Sequence, residues 1–171
     1  IPTFRDALTG LWSKFRPEEL ATPEAFERDP ETVWSWYEWR RELIRQAQPN
    51  AGHFALAELA RRVPRLTLVT QNVDGLHQRA GSPDVLEYHG NILRDRCTVE
   101  QIVADRSEDA RAGLPRCAAC GGLLRPDVVW FGEAIPAEPM LSAAAAAEDC
   151  DTFLSIGTSS LVYPAAGLAE V

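Results

Sequence analysis

The stretch LTLVTQNVDG, residues 66–75, joins a short apolar segment to a polar loop. Residues 66–70 are rich in β-branched side chains and lie between a predicted helix and that loop, which is typical of a buried parallel strand. Further strands are predicted at 85–88, 128–130 and 152–156. Because predicted helices alternate with these strands, the sequence predicts a parallel α/β sheet.

Proline positions indicate where the first helices begin. Thr22 and Asp29 each precede a proline, a pattern typical of a helix N-terminus, so residues 22–48 are expected to form two helices. Further helices are expected at 51–63, in the alanine-rich segment 137–147 and from near Pro164 onward.

Two polar loops, 71–75 and 157–160, follow predicted strands. Ligands of parallel sheets bind at the carboxyl ends of the strands, so these loops are expected to face a nucleotide. The side chains of Gln71, Asn72 and Asp74 suit recognition of a ribose or a carboxamide. Taken alone, however, the first loop is better explained as a turn that caps the following helix.

His89 is the candidate general base, because imidazole titrates near neutral pH. Gly90 follows it and permits close approach of a ligand to the backbone. A lone histidine is more often a structural residue, and His53 and His77 are interpreted in that way.

Three cysteines indicate a metal site within a small inserted module, predicted at 94–126. Cys117 and Cys120 form a C-x-x-C pair, which in a chain without secretory features is typical of metal or redox chemistry. Cys97 begins the partner half of a zinc motif, but Glu100 stands where a second cysteine is usual, and oxygen is a rare ligand in closed zinc sites. The alternative is a zinc site that has been weakened or lost.

Two further features suit a substrate. Tyr37 and Arg40 are three residues apart in a predicted helix, and an arginine with a phenol is a good receptor for a carboxylate. The alternative is a surface arginine beside a core aromatic residue. The segment RPDVVWFGE, 125–133, resembles an exposed strand that can pair with an extended peptide. Its alternative is an ordinary core strand followed by a turn.

Composition narrows the possible partners. The 171 residues include 17 basic and 25 acidic side chains, which give a net charge of −8. An acidic protein is poorly suited to bind nucleic acid. The sequence shows no apolar run of membrane-spanning length and no signal peptide, so no membrane partner is expected and the predicted location is cytoplasmic.

Six motifs in order resemble the sirtuin family along nearly the whole chain. They are IPTFRD (1–6), TQNVDGLH (70–77), YHG (88–90), C-x-x-C (117–120), RPDVVWFGE (125–133) and IGTS (156–159). The resemblance implies a Rossmann-like NAD-binding domain, formed by 1–93 and 127–171, in which 94–126 is an inserted zinc ribbon and 17–48 a helical segment for the acyl pocket.

The resemblance also implies roles for individual residues. His89 would be the general base, and zinc would be structural. NAD would be contacted by Phe4, Arg5, Gln71, Asn72, Asp74, Gly157, Thr158 and Ser159. An acyl-lysine peptide would pair with Val129, Trp130, Phe131 and Gly132. The zinc ligands would be Cys97, Cys117 and Cys120, with Glu100 at the position of the fourth.

LATPEAF (20–26) and VWSWYEWRR (33–41) resemble the class III sirtuins, which include desuccinylases. In that subclass a Tyr-x-x-Arg pair holds the acyl carboxylate, and it falls on Tyr37 and Arg40, while Ala21 leaves room for a longer acyl chain. The implied activity is NAD-dependent removal of succinyl- or malonyl-type groups, and also acetyl, from protein lysine, giving nicotinamide and O-acyl-ADP-ribose. The alternatives are a sirtuin-type mono-ADP-ribosyltransferase and an inactive, truncated binding module.

In the family a glycine-rich phosphate loop precedes the IPTFRD motif, and strands and adenine-binding loops follow the position of Val171. The chain is therefore expected to be a fragment, truncated at both ends, whose 171 residues alone bind NAD poorly.

Overall fold

The computed structural model describes residues 16–105 and 113–170. The predicted cofactor contacts Phe4 and Arg5 lie outside the described residues. Residue contacts divide the chain into two compact units. The first unit comprises the described parts of Ile1–Gln48 and Gly90–Ala134, and the second comprises those of Pro49–His89 and Ile135–Val171.

The described part of the chain begins with four helices, continues with five short strands interrupted by one helix, and ends with a helix and a 3-10 helix. The helices are α1 Pro17–Leu20, α2 Pro23–Arg28, α3 Pro30–Gln46, α4 Ala51–Arg62, α5 Leu76–Arg79 and α6 Ala137–Glu148, with a 3-10 helix at Ala165–Ala169. The strands are β1 Leu68–Thr70, β2 Val85–Glu87, β3 Gly90–Cys97, β4 Val103–Asp105 and β5 Leu124–Val128. None of these helices has the length and apolar character needed to cross a membrane.

The predicted helix starts are confirmed by their capping bonds. The Thr22 hydroxyl accepts a hydrogen bond from the Ala25 N–H, and the Asp29 carboxylate accepts one from the Thr32 N–H, each at 3.1 Å. Both side chains therefore satisfy a backbone donor that the first turn of a helix leaves without a partner.

The second unit contains the predicted parallel strands. β1 and β2 pair in parallel, with Leu68 opposite Val85 and Thr70 opposite Glu87. The buried side chain of Tyr88 packs beside these strands against alanines of α6 and of the 3-10 helix. Two parallel strands covered by helices agree with the α/β class that the sequence predicts.

The prediction of a strand at 152–156 is wrong. No strand is assigned there, and none of the described strands pairs with it. Its apolar side chains Phe153, Leu154 and Ile156 are exposed. A β-rich apolar run becomes a strand only where a neighbouring strand accepts its hydrogen bonds, and no such neighbour is present among the described residues.

The strand expected at 128–130 lies earlier in the chain. β5 ends at Val128, because the next residues form a turn in which the Glu133 N–H donates to the Trp130 carbonyl at 3.0 Å. Gly132 has a φ of +86° in this turn, a conformation that glycine adopts readily.

The first unit contains a three-stranded antiparallel sheet in the order β4-β3-β5. This sheet includes the predicted module, although β3 begins at Gly90, before residue 94. Gly90 does permit a close approach, but to the protein itself, since a Cβ there would overlap the Asp127 carbonyl oxygen. The domain boundaries expected from the sequence stay a prediction.

A buried arginine joins α3 to this sheet. The Arg41 side chain is fully buried and donates to the Ile92 carbonyl at 2.5 Å, to the Arg94 carbonyl at 3.2 Å and to the Asp95 carboxylate at 2.5 Å. Its guanidinium also lies over the Trp34 ring, 5.0 Å from the centroid. Because a buried charge is tolerated only when it is paired and hydrogen-bonded, these contacts determine where α3 lies on β3.

Replacing Arg41 by methionine is expected to lower the free energy of unfolding by about 3–5 kcal/mol, because Asp95 and two backbone carbonyls would lose the buried guanidinium that binds them. Arg45→Met on the same helix is the matched control. Arg45 is exposed and pairs with Glu42 at 3.4 Å, so its loss is expected to cost about 1 kcal/mol or less. Urea denaturation followed by circular dichroism measures both, and equal losses would contradict the role assigned to Arg41.

Candidate active site

The loop after β1 is organised by its own side chains. The Thr70 hydroxyl accepts from the Asn72 N–H at 3.1 Å, and the Asp74 carboxylate accepts from the Leu76 N–H at 2.9 Å. Asp74 thus forms an Asx-type turn at the start of α5, as the alternative interpretation of this loop expects. Gln71 is partly buried and Asn72 is exposed.

A hydrogen bond joins this loop to the second polar loop of the same unit. The Gln71 side-chain amide donates to the Thr158 hydroxyl at 3.2 Å, and the Ser160 N–H donates to the same hydroxyl at 3.2 Å. Gly157 and Ser159 flank Thr158 and are exposed. The two loops that sequence reasoning selected, 87 positions apart, therefore meet.

His89 lies beside the same loop. Its Nδ1 is 3.2 Å from the Gln71 carbonyl oxygen, and its ring meets that of Tyr88 edge-on at 5.7 Å. A carbonyl oxygen only accepts, so this bond places the imidazole proton on Nδ1 and leaves the Nε2 lone pair available. Burial holds the pKa of His89 below its ordinary value, and the Gln71 carbonyl opposes this effect. The imidazole is therefore neutral at neutral pH, as a general base must be.

The candidate acyl-binding residues form one cluster in the first unit. The Trp130 indole N–H donates to the Tyr37 hydroxyl at 2.8 Å. The Phe131 N–H donates to the Ala21 carbonyl at 3.0 Å, and the Phe26 and Trp130 rings lie 5.4 Å apart. Ala21, Tyr37 and Trp130 come from separate segments of the sequence, and the fold brings them together.

The charge state of this cluster suits an anionic ligand. Burial raises the pKa of Tyr37 to about 12, against the lowering effect of nearby Arg40, so the phenol keeps its proton. Burial also lowers the pKa of Arg40, whose guanidinium lies 5.1 Å from the Trp36 ring centroid. Burial thus disfavours the positive charge of Arg40, and a carboxylate beside it would offset that cost.

Sequence reasoning missed the two residues that hold the predicted peptide-binding segment. The Arg125 guanidinium binds both carboxylate oxygens of Glu133 and donates to the Val128 carbonyl at 2.7 Å. Glu133 also accepts from the Trp130 N–H at 2.8 Å. Their opposite charges at the two ends of RPDVVWFGE were the available signal. Val129, Phe131 and Gly132 complete this segment, and Phe131 is 46% exposed.

Cys97, Cys117 and Cys120 form the predicted metal cluster, with their sulfur atoms within 4.8 Å of one another. The sulfurs of Cys97 and Cys120 are 3.5 Å apart, close to the separation of about 3.8 Å that tetrahedral Zn–S bonds of about 2.3 Å require. The three thiols therefore fit zinc. In the described part of the chain the Glu100 carboxylate is not in the cluster. Its N–H, 3.4 Å from Cys97 Sγ, instead lowers the pKa of that thiol.

A parallel strand pair with polar loops at its carboxyl end is typical of nucleotide-binding α/β proteins. The model of the Sir2 family matches residues 1–164, so this chain belongs to that family. The NAD-dependent protein deacylase of Methylococcus capsulatus is 51% identical over 98% of this chain and 69% of its own length. The NAD-dependent protein deacylase of Aquifex aeolicus is 52% identical over 100% of this chain and 72% of its own length.

Solved structures agree with this assignment. The crystal structure of a Sir2 homolog–NAD complex superposes with a TM-score of 0.92 at 48% identity, over 98% of this chain and 66% of that chain. A Sir2 bound to acetylated peptide superposes with a TM-score of 0.83 at 30% identity, over 92% and 67%. The predicted family and fold class are confirmed, and this chain spans about two thirds of the length of those structures.

Cys120→Ser is expected to reduce bound zinc from about one ion per chain to a small fraction of that, because two thiolates hold zinc poorly. Cys150→Ser is the control, since the Cys150 thiol is exposed, donates to the Ala147 carbonyl and is not a member of the cysteine cluster found among the described residues. Elemental analysis by mass spectrometry measures the metal. Equal zinc contents in the two variants would contradict the three-cysteine assignment.

Proposed function

We propose that this chain carries out NAD-dependent removal of acyl groups from protein lysine, with a preference for acidic acyl groups. The observation that carries the proposal is His89, a neutral imidazole with a fixed tautomer beside the two linked loops of the second unit. Relatives at about 50% identity that bear the name NAD-dependent protein deacylase support it, as do the NAD and acetyl-peptide complexes of similar structures.

The reaction begins at the ribose of NAD. The amide oxygen of acyl-lysine forms a bond to C1′, and the bond from C1′ to nicotinamide breaks. The electron pair of that bond leaves with nicotinamide and neutralises its ring. Gln71, Asn72 and Asp74 would orient the ribose and the nicotinamide, and Gly157, Thr158 and Ser159 would hold the rest of the dinucleotide.

His89 serves the second stage as general base. Its Nε2 takes a proton from the ribose hydroxyl system, and the resulting oxygen attacks the amide carbon that was activated in the first stage. The bond from that carbon to the lysine nitrogen then breaks, and the proton held by His89 passes to the leaving amine. Water adds to the same carbon and the bond from it to the C1′ oxygen breaks, so lysine is free and the acyl group remains on the ribose oxygen of ADP-ribose. The hydrogen bond from Nδ1 to the Gln71 carbonyl stabilises the imidazolium that forms.

The acyl preference rests on the first unit. Tyr37 is a buried, protonated phenol, and Arg40, on the same face of α3, is partly buried. A carboxylate at the end of a succinyl or malonyl group would accept from both, whereas acetyl offers no charge. Ala21 contributes only a methyl group to this cluster, which leaves room for a longer acyl chain.

The remaining partners follow from the same scheme. The backbone of Val129–Gly132 would pair with the extended peptide that carries the acyl-lysine. Zinc would be held by Cys97, Cys117 and Cys120 and would stabilise the sheet without taking part in the reaction. The cytoplasmic location and the lack of nucleic-acid and membrane partners stay predictions.

His89→Asn is expected to lower kcat/KM for deacylation by about 100-fold or more, because the base is removed. In the unmutated protein kcat/KM should fall as the pH drops through the His89 pKa, which burial sets below its ordinary value of about 6.5. A rate profile between pH 5 and pH 8 measures this. His53→Asn is the control, because His53 caps α4 and should leave the rate unchanged. An acid limb that persists in His89→Asn would exclude His89 as the base.

Arg40→Met is expected to reduce desuccinylation by about 10- to 100-fold, the usual effect of losing a hydrogen bond to a charged group. Deacetylation should change far less, because acetyl offers no carboxylate. Arg45→Met, an exposed arginine five residues further along α3, is the matched control. Mass spectrometry of paired succinyl- and acetyl-lysine peptides measures both rates. A uniform loss on the two peptides would contradict the assigned role.

A further inference from the structure

The hydrogen bond between Trp130 and Tyr37 has a defined direction. An indole N–H only donates, so the Tyr37 hydroxyl oxygen must be the acceptor of this 2.8 Å contact. The hydroxyl proton of Tyr37 is therefore directed away from Trp130. Both side chains are almost fully buried.

That proton has no acceptor among residues 16–105 and 113–170. In this part of the chain the hydrogen-bond partner of the Tyr37 hydroxyl is Trp130. Its indole N–H donates to the hydroxyl oxygen, so it cannot also accept the hydroxyl proton. The phenol does not lose the proton, since burial raises its pKa to about 12. A buried donor without an acceptor is unfavourable, and a ligand oxygen removes the penalty.

The indole is held so firmly that its N–H has one direction. The Arg125 guanidinium lies 3.4 Å from the centroid of the Trp130 ring, and the Glu133 carboxylate binds that guanidinium. The Phe26 ring packs against the indole at 5.4 Å. The backbone N–H of Trp130 donates to the Glu133 carboxylate, so both the main chain and the ring of Trp130 are fixed.

We propose that Trp130 is a positioning residue for acyl selectivity. Its indole N–H holds the Tyr37 hydroxyl so that the hydroxyl proton points to the terminal carboxylate of an acidic acyl group. This inference rests on the proposed function and adds to it a residue that acts through Tyr37, in addition to any contact between the Trp130 backbone and the peptide.

Trp130→Phe separates this role from simple packing. Phenylalanine keeps an aromatic ring beneath Arg125 and beside Phe26 but removes the N–H. The quantity to measure is the selectivity ratio, which is kcat/KM for a succinyl-lysine peptide divided by kcat/KM for the matched acetyl-lysine peptide. A loss of stability or of peptide binding lowers kcat/KM for both peptides and cancels in the ratio. Misdirection of the Tyr37 proton lowers only kcat/KM for the succinyl-lysine peptide.

The experiment compares Trp130→Phe, Tyr37→Phe, the double variant and the unmutated protein. Trp130→Phe should lower the selectivity ratio about five- to tenfold, the usual effect of one hydrogen bond. In the Tyr37→Phe background the same change should have no further effect, because the hydroxyl that Trp130 orients is absent. Trp34→Phe is the control, since Trp34 lies on α3 beneath Arg41, and it should keep the unmutated ratio.

Two outcomes would overturn the inference and leave the proposed function standing. One is an unchanged ratio in Trp130→Phe, and the other is an equal fall in the presence and absence of the Tyr37 hydroxyl. If the unmutated protein removes neither acyl group, the proposed function fails and the inference fails with it. The affinity of each variant for the succinyl peptide, measured by calorimetry, does not depend on turnover. Trp130→Phe is expected to weaken this binding when Tyr37 is present and to have no further effect in the Tyr37→Phe background.

Discussion

The buried guanidinium of Arg41 is the interaction on which the first unit depends. It joins α3 to the backbone and to the Asp95 carboxylate of β3. α3 carries Tyr37 and Arg40, and β3 ends at Cys97, the buried member of the metal cluster. One ion pair thus links the helix of the candidate acyl site to the strand of the candidate zinc site.

The second unit follows a different constraint, the pairing of two short parallel strands. Thr70 is the last paired residue of β1, and its carbonyl accepts a hydrogen bond at 2.9 Å from the N–H of Tyr88, the residue that follows β2. The residues that follow the two strands, Gln71 and His89, therefore lie side by side. The candidate base and the candidate ribose contacts meet because parallel strands present their carboxyl ends at one edge.

Local patterns in the sequence correctly predicted the helix starts and the two parallel strands, which depend mainly on neighbouring residues. Thr22 and Asp29 cap helices, and the β-rich segments before Gln71 and His89 pair in parallel, as expected. The motif order predicted the family. The segment 152–156 was misjudged, because its composition suits a strand but strand formation also requires a partner.

Contacts between distant residues could not be predicted in the same way. Trp130 and Tyr37 are 93 positions apart, and Arg41 and Asp95 are 54 apart. Sequence reasoning selected Trp130 for its backbone, in a segment expected to pair with peptide, and left Arg41 without a role. Their side-chain partners are set by how α3 packs on the sheet, which no local pattern encodes.

In the proposed reaction the acyl group is transferred to the ribose of NAD. The most direct test is to incubate the protein with NAD and a succinyl-lysine peptide and to identify every product by mass spectrometry. The proposed reaction gives free lysine peptide, nicotinamide and O-succinyl-ADP-ribose in equal amounts. Nicotinamide released together with ADP-ribose attached to protein, or an unchanged peptide after incubation with NAD, would contradict it.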